Sequence, residues 1–258
     1  MRSPRPAGGV SFDRIAARYD ETRGSHGHAD VTTAAIEPWL VPYRRVVEVG
    51  VGTGLIAAEL IGRGWDVVGF DLSARMLETA RERTGGRVAL GDAQALPVRD
   101  NSVGSVYYSH VLHLVSDVAA TLAEAARIIE PAGRVVVVCR GERSRDDTPA
   151  TLIAGVERQL SGPRTDIPER VVEAAAASGL TLAHRQLLAH HLRISPADIA
   201  ANLEQRVWSW TWDVDDARWS REVGPVIEQL RSMPDADRPC ARMHERTLLT
   251  FDAAGTAA

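Results

Sequence analysis

The chain has 258 residues, a length that suits one α/β domain with an elaboration or with a small second domain. Its hydrophobic fraction of 45% supplies a sizeable core, and its net charge of −4 argues against a broad basic field for gripping nucleic-acid backbones. All 30 basic residues are arginine, so neither a Schiff-base lysine nor a Walker-type phosphate lysine exists, and pyridoxal-phosphate chemistry and P-loop NTPases are excluded.

Residues 1–11 lack an apolar signal core and read as a flexible tail, and 12–44 read as an N-terminal helical lid segment. From 45 to 194 the pattern is that of a core in which strands and helices alternate. Arg45-Val-Val-Glu-Val49 is a β-branched run ended by glycines, and Leu55 to Ile61 carries apolar residues at helical spacing. Asp66-Val-Val-Gly-Phe70 is a second strand, followed by Ser73 as N-cap of a helix over Ala74 to Arg83 with Met76, Leu77 and Ala80 on one face. Arg87 to Leu90 and Ser105 to Tyr108 are the third and fourth strands. Asp117 caps a helix over Val118 to Ile129 that stops before Pro131, and Arg134 to Cys139 is the fifth strand, apolar throughout as a strand covered on both faces should be.

Helices are expected over Thr148 to Leu160 and Pro168 to Ala177, with a strand within Thr181 to Ile194. Residues 195–244 read as a helical cap inserted before the last strand. Ser195-Pro196 opens one helix there, and Asp215 to Leu230 forms another. A final core strand over 245–252 and a flexible tail over 253–258 complete the chain. No apolar run approaches the length of a membrane span, so no such helix is expected. Cys139 and Cys240 have neither disulfide nor metal spacing, which suits two buried or inert thiols in a reducing cytoplasm.

Short links between alternating strands and helices imply a parallel sheet with ligands at the carboxyl ends of its strands. The loop Glu48-Val-Gly50-Val-Gly52-Thr-Gly54 lies where such a ligand would sit, since glycines let the backbone turn and approach closely and the next helix opens with free N–H groups. A dinucleotide loop would place its third glycine at 55, but Leu55 is there, which weakens a nicotinamide dehydrogenase reading. Asp71 ends the second strand and can accept hydrogen bonds from two ribose hydroxyls. Asp92, in Gly91-Asp-Ala-Gln94, follows the third strand and can take the exocyclic amine of an adenine, while a backbone N–H beside it reaches a ring nitrogen. Each alone can be a turn; together they point to an adenosyl cofactor.

At these residues the chain resembles the class I methyltransferases that use S-adenosyl-L-methionine (SAM), in the subgroup of the ubiquinone and menaquinone biosynthesis enzymes. The matching stretches are Phe12 to Asp20, Val46 to Gly54, Gly69 to Leu77, Gly91 to Pro97, Val111 to Asp117 and Glu130 to Arg134, with Ala132 where the family has glycine. The resemblance implies a Rossmann-like, seven-stranded, mostly parallel α/β sheet with helices on both faces and an antiparallel last strand. It also implies that Gly50, Gly52 and Gly54 pass under the cofactor and Asp71 holds the ribose. Leu72 and Met76 would pack near the adenine, Asp92 and Ala93 read its edge, Ser109 lies beside the methionine part, and Tyr19 and Arg23 close over it.

Methyl transfer is an in-line displacement at an already activated carbon, so alignment and exclusion of water supply much of the rate, with a base where a hydroxyl is the acceptor. His110 and His113 flank the expected methyl site, and His28 lies on the closing segment; each is either a base or a packing residue. The fourth strand exits as Tyr108-Ser109-His110-Val111, not the Asn/Asp-Pro-Pro-aromatic sequence of nucleobase methyltransferases, which with the net charge argues for a small-molecule acceptor and against nucleic acid. His190 and His191 are adjacent in a strand and point to opposite faces, and no other cluster has ligand spacing, so no metal is expected. Arg206, Trp208, Trp210 and Trp212 read either as a hydrophobic mini-core or as an aromatic wall for the acceptor.

The leading expectation is a SAM-dependent enzyme of small-molecule secondary metabolism that methylates oxygen ahead of nitrogen or carbon. The alternatives are a SAM-binding enzyme of the same fold that catalyses a cyclisation or rearrangement, and a non-enzymatic SAM-binding module.

Overall fold

A computed structural model describes residues 12, 16, 19–20, 25–143, 147–161 and 165–253. It has α1 (Ser25–Ile36), β1 (Val46–Val49), α2 (Leu55–Gly62), β2 (Val67–Asp71), α3 (Ala74–Thr84), β3 (Val88–Leu90), β4 (Val103–Ser109) and α4 (Val118–Ile128). Then follow β5 (Ile129–Arg143), α5 (Thr148–Ser161), α6 (Pro168–Ala177), β6 (Leu180–Ile194), α7 (Pro196–Glu204), α8 (Asp216–Arg218), α9 (Gly224–Arg231) and β7 (Cys240–Ala253).

The seven strands form one sheet in the order β3-β2-β1-β4-β5-β7-β6, a Rossmann-like arrangement. The β1–β2, β1–β4, β2–β3 and β4–β5 pairs are parallel. The chain runs outward from β1 to β3 and then returns to β4 on the other side of β1. The order of the sheet therefore reverses at β1, and the carboxyl ends of the strands around that point are where sheets of this kind take their ligands.

Period-two alternation divides the core between the two faces of the sheet. Val47, Val49, Val106, Tyr108, Val135 and Val137 pack with Leu122, Ala125 and Ile128 of α4 and Val171 and Ala175 of α6. Val46, Val67, Tyr107, Val136 and Val138 pack on the opposite face with Ile36 of α1, Ala57 and Leu60 of α2, and Leu77 and Ala80 of α3.

The helix starts follow local chemistry. The side chains of Ser73, Asp117 and Ser195 each accept a backbone N–H from the first turn of α3, α4 and α7, and Asp198 completes a capping box with Ser195. Two expectations change. The fifth strand begins at Ile129, not Arg134, with a register shift against β4 between Val103 and Ser105. The helix expected over Asp215 to Leu230 is broken by a π-helical turn over Trp219–Val223. Pro225 explains the break, because it brings no N–H and its ring crowds the carbonyl four residues back. Cys139 is buried, but Cys240 is exposed.

The chain divides into two compact units, one of Met1–Arg140, Thr165–Leu188 and Thr247–Ala258, the other of Gly141–Arg164 and Ala189–Arg246. The second unit thus takes in α5, which the sequence placed in the 45–194 core. Ile153 and Val156 of α5 share a cluster with Ile199, Ala200 and Leu203 of α7 and Ile227 and Leu230 of α9, and that apolar burial makes the unit. Among the described residues no helix is long and apolar enough to cross a membrane, and no three His, Cys, Asp or Glu side chains gather around a point that could hold a metal.

Candidate active site

The three loop glycines all have positive φ, at 74°, 54° and 79° for Gly50, Gly52 and Gly54, but their surroundings differ. A Cβ on Gly50 would stand 2.5 Å from Cγ2 of Val111, so the segment leaving β4 lies flush against the loop leaving β1. A Cβ on Gly54 would meet Ala80 of α3 at 3.1 Å. A Cβ on Gly52 would meet nothing within 4 Å. The loop is therefore packed on two sides and open at Gly52, which is the geometry of a cradle.

Asp71 fixes the floor of that opening. One carboxylate oxygen accepts the Gly52 N–H at 2.9 Å and the other accepts the Ser73 N–H at 2.8 Å. A carboxylate offers about four lone-pair sites, so these two hydrogen bonds do not by themselves fill the positions that a pair of ribose hydroxyls would use. Leu72 is 50% exposed beside it, an apolar surface available to an adenine, while Met76 is buried beneath. The exposed Asp92 takes the Gln94 N–H on one oxygen at 2.9 Å, leaving the other for an amine, and Ala93 is buried next to it. These residues fit an adenosyl group.

Glu48 does something other than its place in the loop suggests. Its carboxyl group is buried under the loop and accepts the Tyr107 hydroxyl at 2.6 Å. Burial pushes its pKa up to about 8, against the lowering effect of the Tyr107 and Ala57 hydrogen bonds and with a further push from the charge on Asp71. Glu48 supports the loop from inside instead of facing the opening.

Ser109 ends β4 half-buried, and His110 follows in the left-handed conformation at φ 57°. A non-glycine residue there marks a forced turn, pinned by Val111 against Gly50 and by the His110 N–H on the Val138 carbonyl. His113 lies three residues on with Nδ1 4.0 Å from the carboxylate of Asp166, which is almost wholly buried. Tyr19 stands beside Phe12, their ring centroids 6.3 Å apart. Arg23 and the side chain of His28 lie outside the described residues.

Arg206 and the tryptophans belong to the second unit. Arg206 donates to the carbonyls of Thr211 and Val214 at 2.9 and 2.7 Å and lies 4.1 Å over the Trp219 ring. Trp212 donates its indole N–H to the Arg206 carbonyl, and Trp208 and Trp210 stack with centroids 5.9 Å apart against the apolar cluster of the unit. Arg206 is thus engaged within its own unit instead of being held out for an acidic acceptor. Of the reading as mini-core or wall, these contacts support the mini-core.

Sequence reasoning missed four groups that the fold brings to the site: Asp20, Arg83, Tyr107 and Asp166. Asp20 accepts the Thr53 hydroxyl at 2.6 Å and pairs with Arg83 at 2.5 Å, while Arg83 also donates to the Thr53 carbonyl at 3.0 Å. None has a motif spacing; Asp20 alone lay within a matching stretch.

Comparison with known proteins agrees with this geometry. Residues 47–137 match the methyltransferase domain family. The chain is 37% identical over 132 residues to an uncharacterized methyltransferase of Mycobacterium tuberculosis, a match that spans half of this chain and 51% of that protein. It is 31% identical to the demethylmenaquinone methyltransferase of Mycolicibacterium vanbaalenii over 84% of this chain and 90% of the relative. Among solved structures, the 4+2 cyclase SpnF shares the fold with a TM-score of 0.64 at 19% identity, over 98% of this chain and 99% of that one. The chain belongs to the class I SAM-dependent methyltransferases.

Proposed function

We propose that the protein transfers the methyl group of SAM to a small-molecule acceptor, with oxygen ahead of nitrogen or carbon as the accepting atom. The observation that carries this reading is the loop opening at Gly52 floored by Asp71, in a chain that keeps 31% identity across 84% of its length with a protein named as a methyltransferase. SAM supplies a sulfonium-bound methyl carbon that needs no further activation. The chain's own residues position and shield it. Asp71 accepts the ribose hydroxyls, Asp92 and the Ala93 N–H read the adenine edge, Leu72 covers its face with the buried Met76 as backing behind it, and Tyr19 and Ser109 border the methionine end.

The preference for oxygen rests on His113. Its Nδ1 stands 4.0 Å from the buried Asp166 carboxylate, and its ring is the group offered to receive the proton that a hydroxyl acceptor must lose and an amine need not lose beforehand. His110, strained and pinned beside the loop, fits better as part of the wall. The fold is shared with a protein named as a cyclase, so fold alone does not choose between methyl transfer and rearrangement. The test is incubation with methyl-labelled SAM and a metabolite extract or phenol panel. Label in one small product, and loss of about 10²–10⁴-fold in rate in His113→Gln, is expected. Unlabelled conversion with SAM left intact would support the rearrangement reading, and no conversion of any acceptor would sink both.

A further inference from the structure

Thr53 sits between the second and third loop glycines and is held at two atoms by one ion pair. Its hydroxyl donates to one oxygen of Asp20, and its carbonyl accepts from Arg83, whose other guanidinium nitrogen pairs with the second oxygen of Asp20. Three stretches of chain meet there: the segment at 19–20, the glycine loop, and the last turn of α3. The meeting is possible because Gly54 lets the loop lie against Ala80, one turn before Arg83 on the same helix. Thr53 is 2% exposed, and the ion pair is about one-quarter exposed, so its contacts are screened less than those of a surface pair.

The peptide group between Gly52 and Thr53 is fixed from both sides. Asp71 takes the N–H of Gly52, and Asp20 with Arg83 takes Thr53. Gly52, at the open face, has φ 54°, and a Cβ on it would meet nothing within 4 Å, so no packing on that face holds it. The anchors on either side of it are what set its direction.

We propose that Asp20 and Arg83 are positioning residues for SAM, clamping Thr53 so that the loop backbone is aimed at the cofactor before it arrives and Tyr19 is held at the loop's side. The assignment rests on the SAM reading of the cradle and not on any choice of acceptor. The clamp replaces loop ordering that binding would otherwise have to supply, so its loss shows as weaker SAM binding with acceptor handling unchanged.

The test is calorimetric titration of SAM into the full chain and into Asp20→Asn, Arg83→Gln, the double variant and the milder Thr53→Val, with melting of each cofactor-free protein beside it. Each single removal at the ion pair is expected to weaken SAM about tenfold, and Thr53→Val about threefold. The double variant is expected to bind within about twofold of the weaker single, because the pair acts as one clamp. SAM affinity unchanged in Asp20→Asn and Thr53→Val while their melting falls would overturn the proposal and leave a purely structural ion pair. Multiplied losses in the double variant would overturn it as well. No binding by the unsubstituted chain would overturn the cofactor reading, and the clamp with it.

Discussion

Glu48 carries a carboxyl group into an interior where its charged form is disfavoured. Its pKa is pushed up to about 8, above the ordinary carboxylate value that the unfolded chain would show. The folded state therefore binds the proton more tightly. The stability this contributes is fully present below pH 4.5 and is lost as pH rises towards 8. Glu48→Gln mimics the protonated form, so its melting temperature should change less between pH 5 and 8 than that of the unsubstituted protein. Differential scanning calorimetry at several pH values measures that slope, and equal slopes in both would contradict the buried titration. Tyr107 was not legible beforehand as the partner of Glu48. Nothing in the sequence ties positions 59 residues apart until β1 and β4 are known to be neighbours. The same holds for Asp20 with Arg83, 63 residues apart. The places of Asp71 and Asp92 in the fold were legible, because each lies at or just past the end of its own strand and needs no distant partner to be located.

At the scale of the element, the glycine loop divides the work of its residues in a way that substitution can separate. Gly52→Ala places a methyl group in open space and costs only the left-handed backbone, roughly 1–2 kcal/mol. Gly50→Ala adds a clash with Val111 to a similar backbone cost, about 2–5 kcal/mol in all. Chemical denaturation should therefore show Gly50→Ala as the less stable protein. SAM titration should show Gly52→Ala losing affinity out of proportion to its stability. The reverse order in stability would mean that the loop is packed otherwise. Secondary structure was read most faithfully where one residue settles it. Ser73, Asp117 and Ser195 cap the helices assigned to them, and the strand–helix alternation up to β5 follows from apolar period. The break at Trp219–Val223 was missed, although Pro225 stood in the sequence, because the turn that absorbs a proline depends on which carbonyl the tertiary structure lets go.

For the whole molecule, the relevant fact is that each unit keeps its own core. Arg206 stabilises the second unit through two carbonyls and the face of Trp219. Arg206→Met should cost about 2 kcal/mol, since the side chain is partly exposed and part of its hydrogen bonding is replaced by water. Hydrogen exchange locates the loss: amides of α7 and α9 should lose protection while those of β1 and α2 keep theirs. Equal loss everywhere would show that the two units unfold as one.

The second unit is not a single length of chain. Gly141–Arg164 enters between the body of β5 and α6, and Ala189–Arg246 between the body of β6 and the end of β7. Ile153 and Val156 from the first of these share a hydrophobic cluster with Ile199 and Leu203 from the second. A chimera that transplants only 189–246 from a relative would set foreign side chains against the native α5 and begin with mismatched volumes at every shared contact. Grafting both insertions together preserves the mutual fit and leaves the glycine loop untouched. Exchange of this unit among relatives is thus a paired event, and drift in one insertion constrains what the other can become.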